Sequence, residues 1–286
     1  MSTATLKARN PIGRKILDQS IKGLSVGASF LGIFFLAWIL MEVTQRGIAA
    51  INWDFFTALP APPGEETVGL SSAIVGTLLM TVLAVVIGVP LGILSGVFLS
   101  EVARGTKIAS YIRFCINVLM GVPSIIIGLF VYTILVLPLG KFSGLAGAVS
   151  LAVIMLPVIA RTTDDMLILV PNALRESALA LGTPRWKVTF DIVLRAAKTG
   201  MTTGVLLAIA RVSGETAPLL FTSLNSVYMP EGLLEPTSNL TVTIFNYAMS
   251  PYADWQQMAW GASLLIMVSV LGVTIFARAA FKERTK

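Results

Sequence analysis

Long apolar stretches alternate with short polar segments along this chain. Six stretches stand out, at about 23–43, 71–100, 112–138, 144–160, 198–218 and 258–281. Each approaches or exceeds the roughly 20 residues a helix needs to cross a bilayer. The pattern predicts an all-α polytopic membrane protein with six transmembrane helices. The polar gap between the fourth and fifth spans carries an ordered pattern of its own. Val170 to Leu194 reads VPNALRESALALGTPRWKVTFDIVL, two helix signals around one glycine. Pro171 suits a first helical turn, and Leu174, Ala178 and Leu181 form an i, i+4, i+7 apolar stripe. Gly182 is placed to end that helix at C′, with Thr183 as N-cap and Pro184 as first residue of a second helix. The next proline is Pro218, so the second helix is expected to run through the fifth span, about 45–50 Å. Glu176 lies off the stripe, open to a partner. The segment therefore reads as a docking element, with a helix lying on the membrane surface as the alternative.

Other features sit inside the spans. Gly88, Gly92 and Gly96 form a ridge at every fourth residue, with Pro90 among them. Small residues at that spacing let helices approach closely, and Pro90 frees a carbonyl and is expected to kink the helix. Gly121, Val122, Pro123 and Ser124, followed by Gly128, predict a break in the third span. These positions and Pro218 are candidates for hinges or pore lining, with plain helix packing as the other reading. Arg211 is expected well inside the fifth span, with Glu215 at i+4. An arginine at a helix centre costs at least ~2.5–3.5 kcal/mol to insert, so it must face a partner, water or ligand. Its planar donors suit an oxyanion; the alternative is a structural ion pair. Arg161 is expected at the end of the fourth span, with Asp164 and Asp165 as local partners. An apolar run at 242–249 suggests a short helix in the 219–257 loop.

Composition then narrows the class. The 286 residues are 55% hydrophobic and 13% charged, with mean hydropathy +0.83. Soluble chains carry about 25% charged residues. With no histidine and one cysteine, Cys115, neither an internal disulfide nor a His/Cys metal site is expected, and no cofactor is implied. The net charge of +6 is dispersed at span ends, which argues for topology signals rather than nucleic acid. Lys7, Arg9, Arg14, Lys15 and Lys22 precede the first span. Arg104, Lys107 and Arg113 follow the second, Arg161 to Lys198 follow the fourth, and Arg278, Lys282, Arg284 and Lys286 end the chain. Arg46 and Lys141 stand alone on the other side. The positive-inside rule then puts both termini and the polar loop in the cytoplasm. The first apolar run exceeds a signal-peptide core and is expected to remain as an anchor. The fragment Leu139-Gly140-Lys141-Phe142 lacks the rest of a nucleotide-binding loop, so ATP hydrolysis must come from another chain. A secondary transporter and a membrane enzyme are the competing classes, weakened by the few titratable groups at membrane depth.

The polar loop resembles the signature of ABC-importer membrane subunits. Glu176-Ser177-Ala178, three residues, Gly182, nine residues and Ile192-Val193-Leu194-Arg195 follow the family spacing. Ser177 replaces an alanine and Arg195 the final proline. Gly121 to Phe130, Arg161 to Met166, Ala210 to Phe221 and Ser250 to Trp255 resemble the inorganic-phosphate importers, PstA-type rather than PstC-type. The resemblance covers about 70–280. It implies a type I ABC-importer permease fold, with a core at 70–280 between an N-terminal part, 1–69, and a tail, 281–286. It implies a coupling helix at about 171–182, where Arg175, Glu176, Ser177, Ala178, Leu181, Gly182 and Thr183 meet an ATPase. Arg211, Glu215 and Arg161 are implied in the phosphate path. The implied partners are a PstB-type ATPase dimer, a PstC-type second permease and a PstS-type phosphate-binding protein, in a bacterial inner membrane, working by alternating access. Molybdate, sulfate or a PstC-type role remain alternatives.

Overall fold

A computed structural model describes residues 11–65 and 67–280. Lys7, Arg9 and the tail 281–286 lie outside the described residues, as do the side chains of Arg14 and Arg278. The described residues are helical with no strands. In order the helices are α1 (Pro11–Ile48), α2 (Trp53–Thr57), α3 (Ser71–Val97), α4 (Lys107–Gly121), α5 (Ser124–Val131), α6 (Leu137–Leu139) and α7 (Gly144–Ile168). They continue as α8 (Asn172–Ala180), α9 (Arg185–Val188), α10 (Leu194–Val212), α11 (Ala217–Leu220), α12 (Leu240–Ala248) and α13 (Ala253–Ala280). Three π-helical turns, Phe98–Val102, Tyr132–Val136 and Thr189–Val193, extend or join neighbouring helices. Five helices are long and apolar enough to cross a membrane, or six when α4 and the Ser124–Leu139 segment count as one bent span.

Two units divide the chain at Arg46/Gly47. The first is one long helix whose side chains from Lys15 to Met41 are all exposed. The second holds everything else around α7. In α7, 67% of the most apolar window is buried, against 28% for Ser71–Val102 and 22% for α13. It is the axis of the bundle.

Glycine explains the close contacts on α7. A Cβ on Gly88 would lie 2.7 Å from Met155 Cγ, one on Gly92 2.7 Å from Ile159 Cβ, and one on Gly96 2.5 Å from Thr163 Cβ. Both sides of this seam repeat every four residues, so one helix face meets one helix face. On α10, Gly200 and Gly204 give way to Met166 and Thr162 in the same manner. The core under these seams contains Met80, Ala84, Leu151, Met155, Ile159 and Ala208. Bilayer lipid supplies no hydrophobic drive for helix pairing, so van der Waals fit of this kind carries association. The glycine ridge of the sequence is therefore a packing seam, and α3 continues helically through Pro90, which is exposed.

The third span breaks where expected. α4 ends at Gly121, Val122 and Pro123 are extended, and the two halves meet at 102°. The fifth span differs from expectation at its far end. The helix from Arg185 stops at Val212 rather than running to Pro218. Gly214 is a poor helix former, and Pro218 lacks an N–H and restricts Ala217 before it. α7 runs eight residues beyond the predicted 160. The expected helix in the 219–257 loop is α12, capped by the Asn239 side chain, which accepts from the Val242 N–H at 2.8 Å.

If the seam holds the bundle, Gly92→Leu should lower the stability of the chain in detergent by about 1–3 kcal/mol through overpacking. Gly272→Leu, where nothing lies within 4 Å of the new Cβ, should be near neutral. Denaturant unfolding followed by circular dichroism distinguishes them.

Candidate coupling and transport sites

The polar loop forms two helices around Gly182, each starting one residue later than the sequence suggests. Pro171 and Pro184 stand in extended conformation before α8 and α9 instead of occupying their first turns. Gly182 has φ +79°. Its N–H donates to the Leu179 carbonyl at 2.9 Å and the Thr183 N–H to the Ala178 carbonyl at 3.3 Å. These are the two bonds of a Schellman ending, as its place predicts. The expected Thr183 cap is not formed. The Pro184 carbonyl takes the first N–H groups of α9, from Lys187 at 3.0 Å and Val188 at 3.1 Å.

The apolar stripe of α8 splits in two. Ala178 is buried with Leu167, Val170, Val188 and Val193. Leu174 and Leu181 are exposed, as are Leu179 and Trp186 nearby. Glu176 is exposed and Ser177 turns back to the Ala173 carbonyl at 2.7 Å. Arg175 points inward. Its guanidinium donates to Glu101 at 2.7 Å and 3.3 Å and to the Leu167 carbonyl at 2.8 Å, with both acidic and basic side chains nearly buried. Arg175 therefore fastens α8 to the bundle, while the leucines and Glu176 form the face it presents.

Arg211 sits in the last turn of α10, not at a helix centre. Glu215 lies beyond the helix end, in the turn where the Gly214 and Glu215 N–H groups donate to the Arg211 and Val212 carbonyls, both at 3.2 Å. The two side chains still meet, Arg211 Nε lying 3.7 Å from Glu215 Oε1, an ion pair without a short hydrogen bond. The arginine side chain is 47% exposed and the glutamate 16%. Among the described residues no protein acceptor takes a hydrogen bond from the Arg211 guanidinium. Thr241 donates to the Glu215 carbonyl at 2.8 Å, so the 219–257 loop braces this turn. Pro218, next in the same segment, is buried on Gly128, where a Cβ would lie 2.6 Å from the proline Cα. The broken span and the Arg211–Glu215 turn are thus neighbours.

Arg161 lies inside α7, about 10 Å from its end by helical rise. It pairs with Asp165 at 2.9 Å. Asp164 does not serve Arg161 as expected. It is 1% exposed and takes both forks of Arg113 from α4, at 2.7 Å and 2.9 Å. Thr162, next to Arg161, meets Gly204 of α10, seven residues or about 10 Å of helical rise before Arg211, so the two arginines stand at different levels along the α7–α10 seam. Arg113–Asp164 and Glu101–Arg175 were missed because partners 51 and 74 residues apart leave no local signal. Their only sign was a charged residue inside or beside an apolar run.

The model of the binding-protein-dependent transport system inner membrane component matches residues 88–282. The phosphate transport system permease protein PstA of Yersinia pestis is 47% identical over 261 residues, covering 91% of this chain and 88% of its own. That of Haemophilus influenzae is 46% identical over 271 residues, covering 95% and 96%. The probable PstA of Methanocaldococcus jannaschii is 37% identical over 280 residues, covering 96% of each. Among solved structures, a chain of the bacterial alginate ABC transporter with its alginate-bound periplasmic protein superposes with a TM-score of 0.68. It is 15% identical and covers 97% of this chain and 99% of that one. A chain of the inward-facing MetNI methionine ABC transporter gives 0.58 at 19% identity, covering 74% and 92%. At such identities the structures establish the fold, that of an ABC-importer permease. This chain belongs to the inner-membrane components of binding-protein-dependent transport systems, in the branch of the PstA phosphate transport permeases.

Proposed function

We infer that this chain is the permease subunit of an ATP-driven importer of inorganic phosphate, the PstA-type half of a translocation path completed by a PstC-type subunit. The observation that carries the reading is α8. It is a short helix ended by a Schellman turn, fastened from behind by Arg175 and presenting Leu174, Leu181 and Glu176 outward. A helix so held is suited to being pushed. The chain itself is a non-catalytic subunit. An ATPase and an extracytoplasmic binding protein are its partners, in our reading a PstB-type dimer and a PstS-type phosphate-binding protein. The basic residues around α8 and at both chain ends support a cytoplasmic placement of termini and loop. Residues 70–280 act as the transport core, with 1–69 and the tail 281–286 as additions to it.

In this mechanism ATP binding closes the ATPase pair and shifts α8. The helix from Arg185 to Val212, about 42 Å long, carries that shift across the membrane. Its π-turn at Thr189–Val193 lies just before Arg195, where related subunits have proline, and supplies local give without a proline kink. At its far end stands Arg211, whose unengaged donors suit a phosphate oxyanion, with Glu215 holding the guanidinium between turnovers. Arg161 and Asp165, about 10 Å nearer the coupling loop along the α7–α10 seam, are assigned to the inner part of the path. Gly121, Pro123 and Ser124 form a hinge whose moving half rests on Pro218.

Two outcomes test this. At Gly182 a side chain meets open space, but φ +79° is left-handed backbone. Asn tolerates that conformation. Gly182→Asn should therefore keep the ATPase bound, whereas Gly182→Trp should weaken co-purification by about tenfold or more through steric block of the docking face. Equal ATPase recovery in both variants would remove α8 from the interface. Separately, Arg211→Ala should leave the complex assembled yet cut radiolabelled phosphate uptake in proteoliposomes by about 10–100-fold, the worth of hydrogen bonds to a charged group. Normal uptake would take Arg211 out of the path.

A further inference from the structure

The last turn of the second span is a π-turn, Phe98–Val102, and it is gripped twice. The Ala103 N–H reaches back five residues to the Phe98 carbonyl at 2.8 Å. Arg113 of α4 donates Nη2 to the Leu99 carbonyl at 3.0 Å while holding Asp164 of α7 with Nε and Nη2. One guanidinium thus ties α4, α7 and the π-turn together. Two residues further on, Glu101 holds Arg175 of α8, and Arg104 donates to Asn172 at the start of α8 at 2.9 Å. The α8 helix is therefore connected to α4 through a few rigid, forked contacts.

Buried ion pairs seldom add net stability, but two-pronged geometry fixes register. π-turns are uncommon and concentrate where helices must adjust. The other end of α4 is the Gly121–Pro123 break, and beyond it α5 rests Gly128 on Pro218, three residues after Glu215. A path of packed contacts runs from the docking helix to the turn that carries the Arg211–Glu215 pair, and it bypasses α10.

We propose that the π-turn Phe98–Val102, held by Arg175 on one side and Arg113 on the other, is a second relay that carries displacement of α8 to the broken span α4–α5. Arg113 is then a positioning residue for transport. The proposal rests on the reading of α8 as the coupling helix. A rigid α10 lever moves the Arg211 end of the path, and the relay moves the hinge beside it, so the two arrive together.

The test uses the complete complex, with its ATPase and binding protein, in proteoliposomes, reading phosphate imported per ATP hydrolysed. Arg113→Lys keeps the charge beside Asp164 but loses the three-way fork. Glu101→Gln keeps the shape and loses the charge facing Arg175. Each should assemble normally and hydrolyse ATP, with import per ATP lower by about fivefold or more, the range of an energetic coupling between sites. The double variant should be no worse than the poorer single, because both cut one relay. Losses that multiply, or normal import per ATP in either single variant, overturn the relay. So does failure of either variant to assemble, which makes the network structural. A wild-type chain that recruits no ATPase overturns the coupling-helix reading and the relay together; a wild-type chain that couples while the variants couple equally overturns only the relay.

Discussion

Everything in this bundle is referred to α7, because glycine lets its side chains seat directly against the neighbouring helices. Gly88, Gly92 and Gly96 on one side and Gly200 and Gly204 on the other remove the side chains that would hold α3 and α10 away. In lipid the alternative contact, hydrocarbon on hydrocarbon, is already available to a separated helix, so only a better fit favours association. Three spans thereby become one stiff body. A stiff body is what a coupling mechanism needs, since displacement at one end is otherwise absorbed by side-chain rearrangement before it reaches the other.

That fit is interrupted at two places. The Gly121–Pro123 break removes helical hydrogen bonds over two extended residues, and the half-helix beyond it leans on Pro218 through Gly128. The fifth span ends at Val212, so the Arg211–Glu215 pair hangs on a turn braced by Thr241 rather than on a continuous helix. A charge at a helix end, half exposed, avoids much of the insertion penalty that a mid-helix arginine would carry.

Features with a local signature were legible in the sequence. The Schellman ending at Gly182 follows from a glycine after a periodic apolar stripe. The break follows from Gly-Val-Pro, and α12 from the apolar run at 242–249. The spans follow from length and hydropathy, but the fifth ends at Val212, short of Pro218, because Gly214 acts as a stop before the proline does. What could not be read was the pairing of charges. Asp164 and Asp165 are adjacent, yet α-helical geometry turns one toward Arg113 and the other toward Arg161. Choosing between them requires knowing which helix faces which, and apolar spans of similar composition do not encode that in one sequence.

The arginines then sort themselves by how many donors the protein uses. Arg113 and Arg175 each spend their donors on a carboxylate and on backbone carbonyls, in sites that are at most a quarter exposed. A guanidinium so satisfied has little left for a ligand, and its loss leaves a carboxylate buried without a counter-charge, which is a structural penalty. Arg211 has one acidic neighbour at 3.7 Å and no hydrogen bond to protein among the described residues. Its side chain is 47% exposed, so the fold leaves its donors open where those of Arg113 and Arg175 are used. The same criterion separates Glu101 and Asp164, committed to short forked hydrogen bonds, from the loosely paired Glu215, which in the mechanism we propose releases Arg211 when an anion competes for the guanidinium.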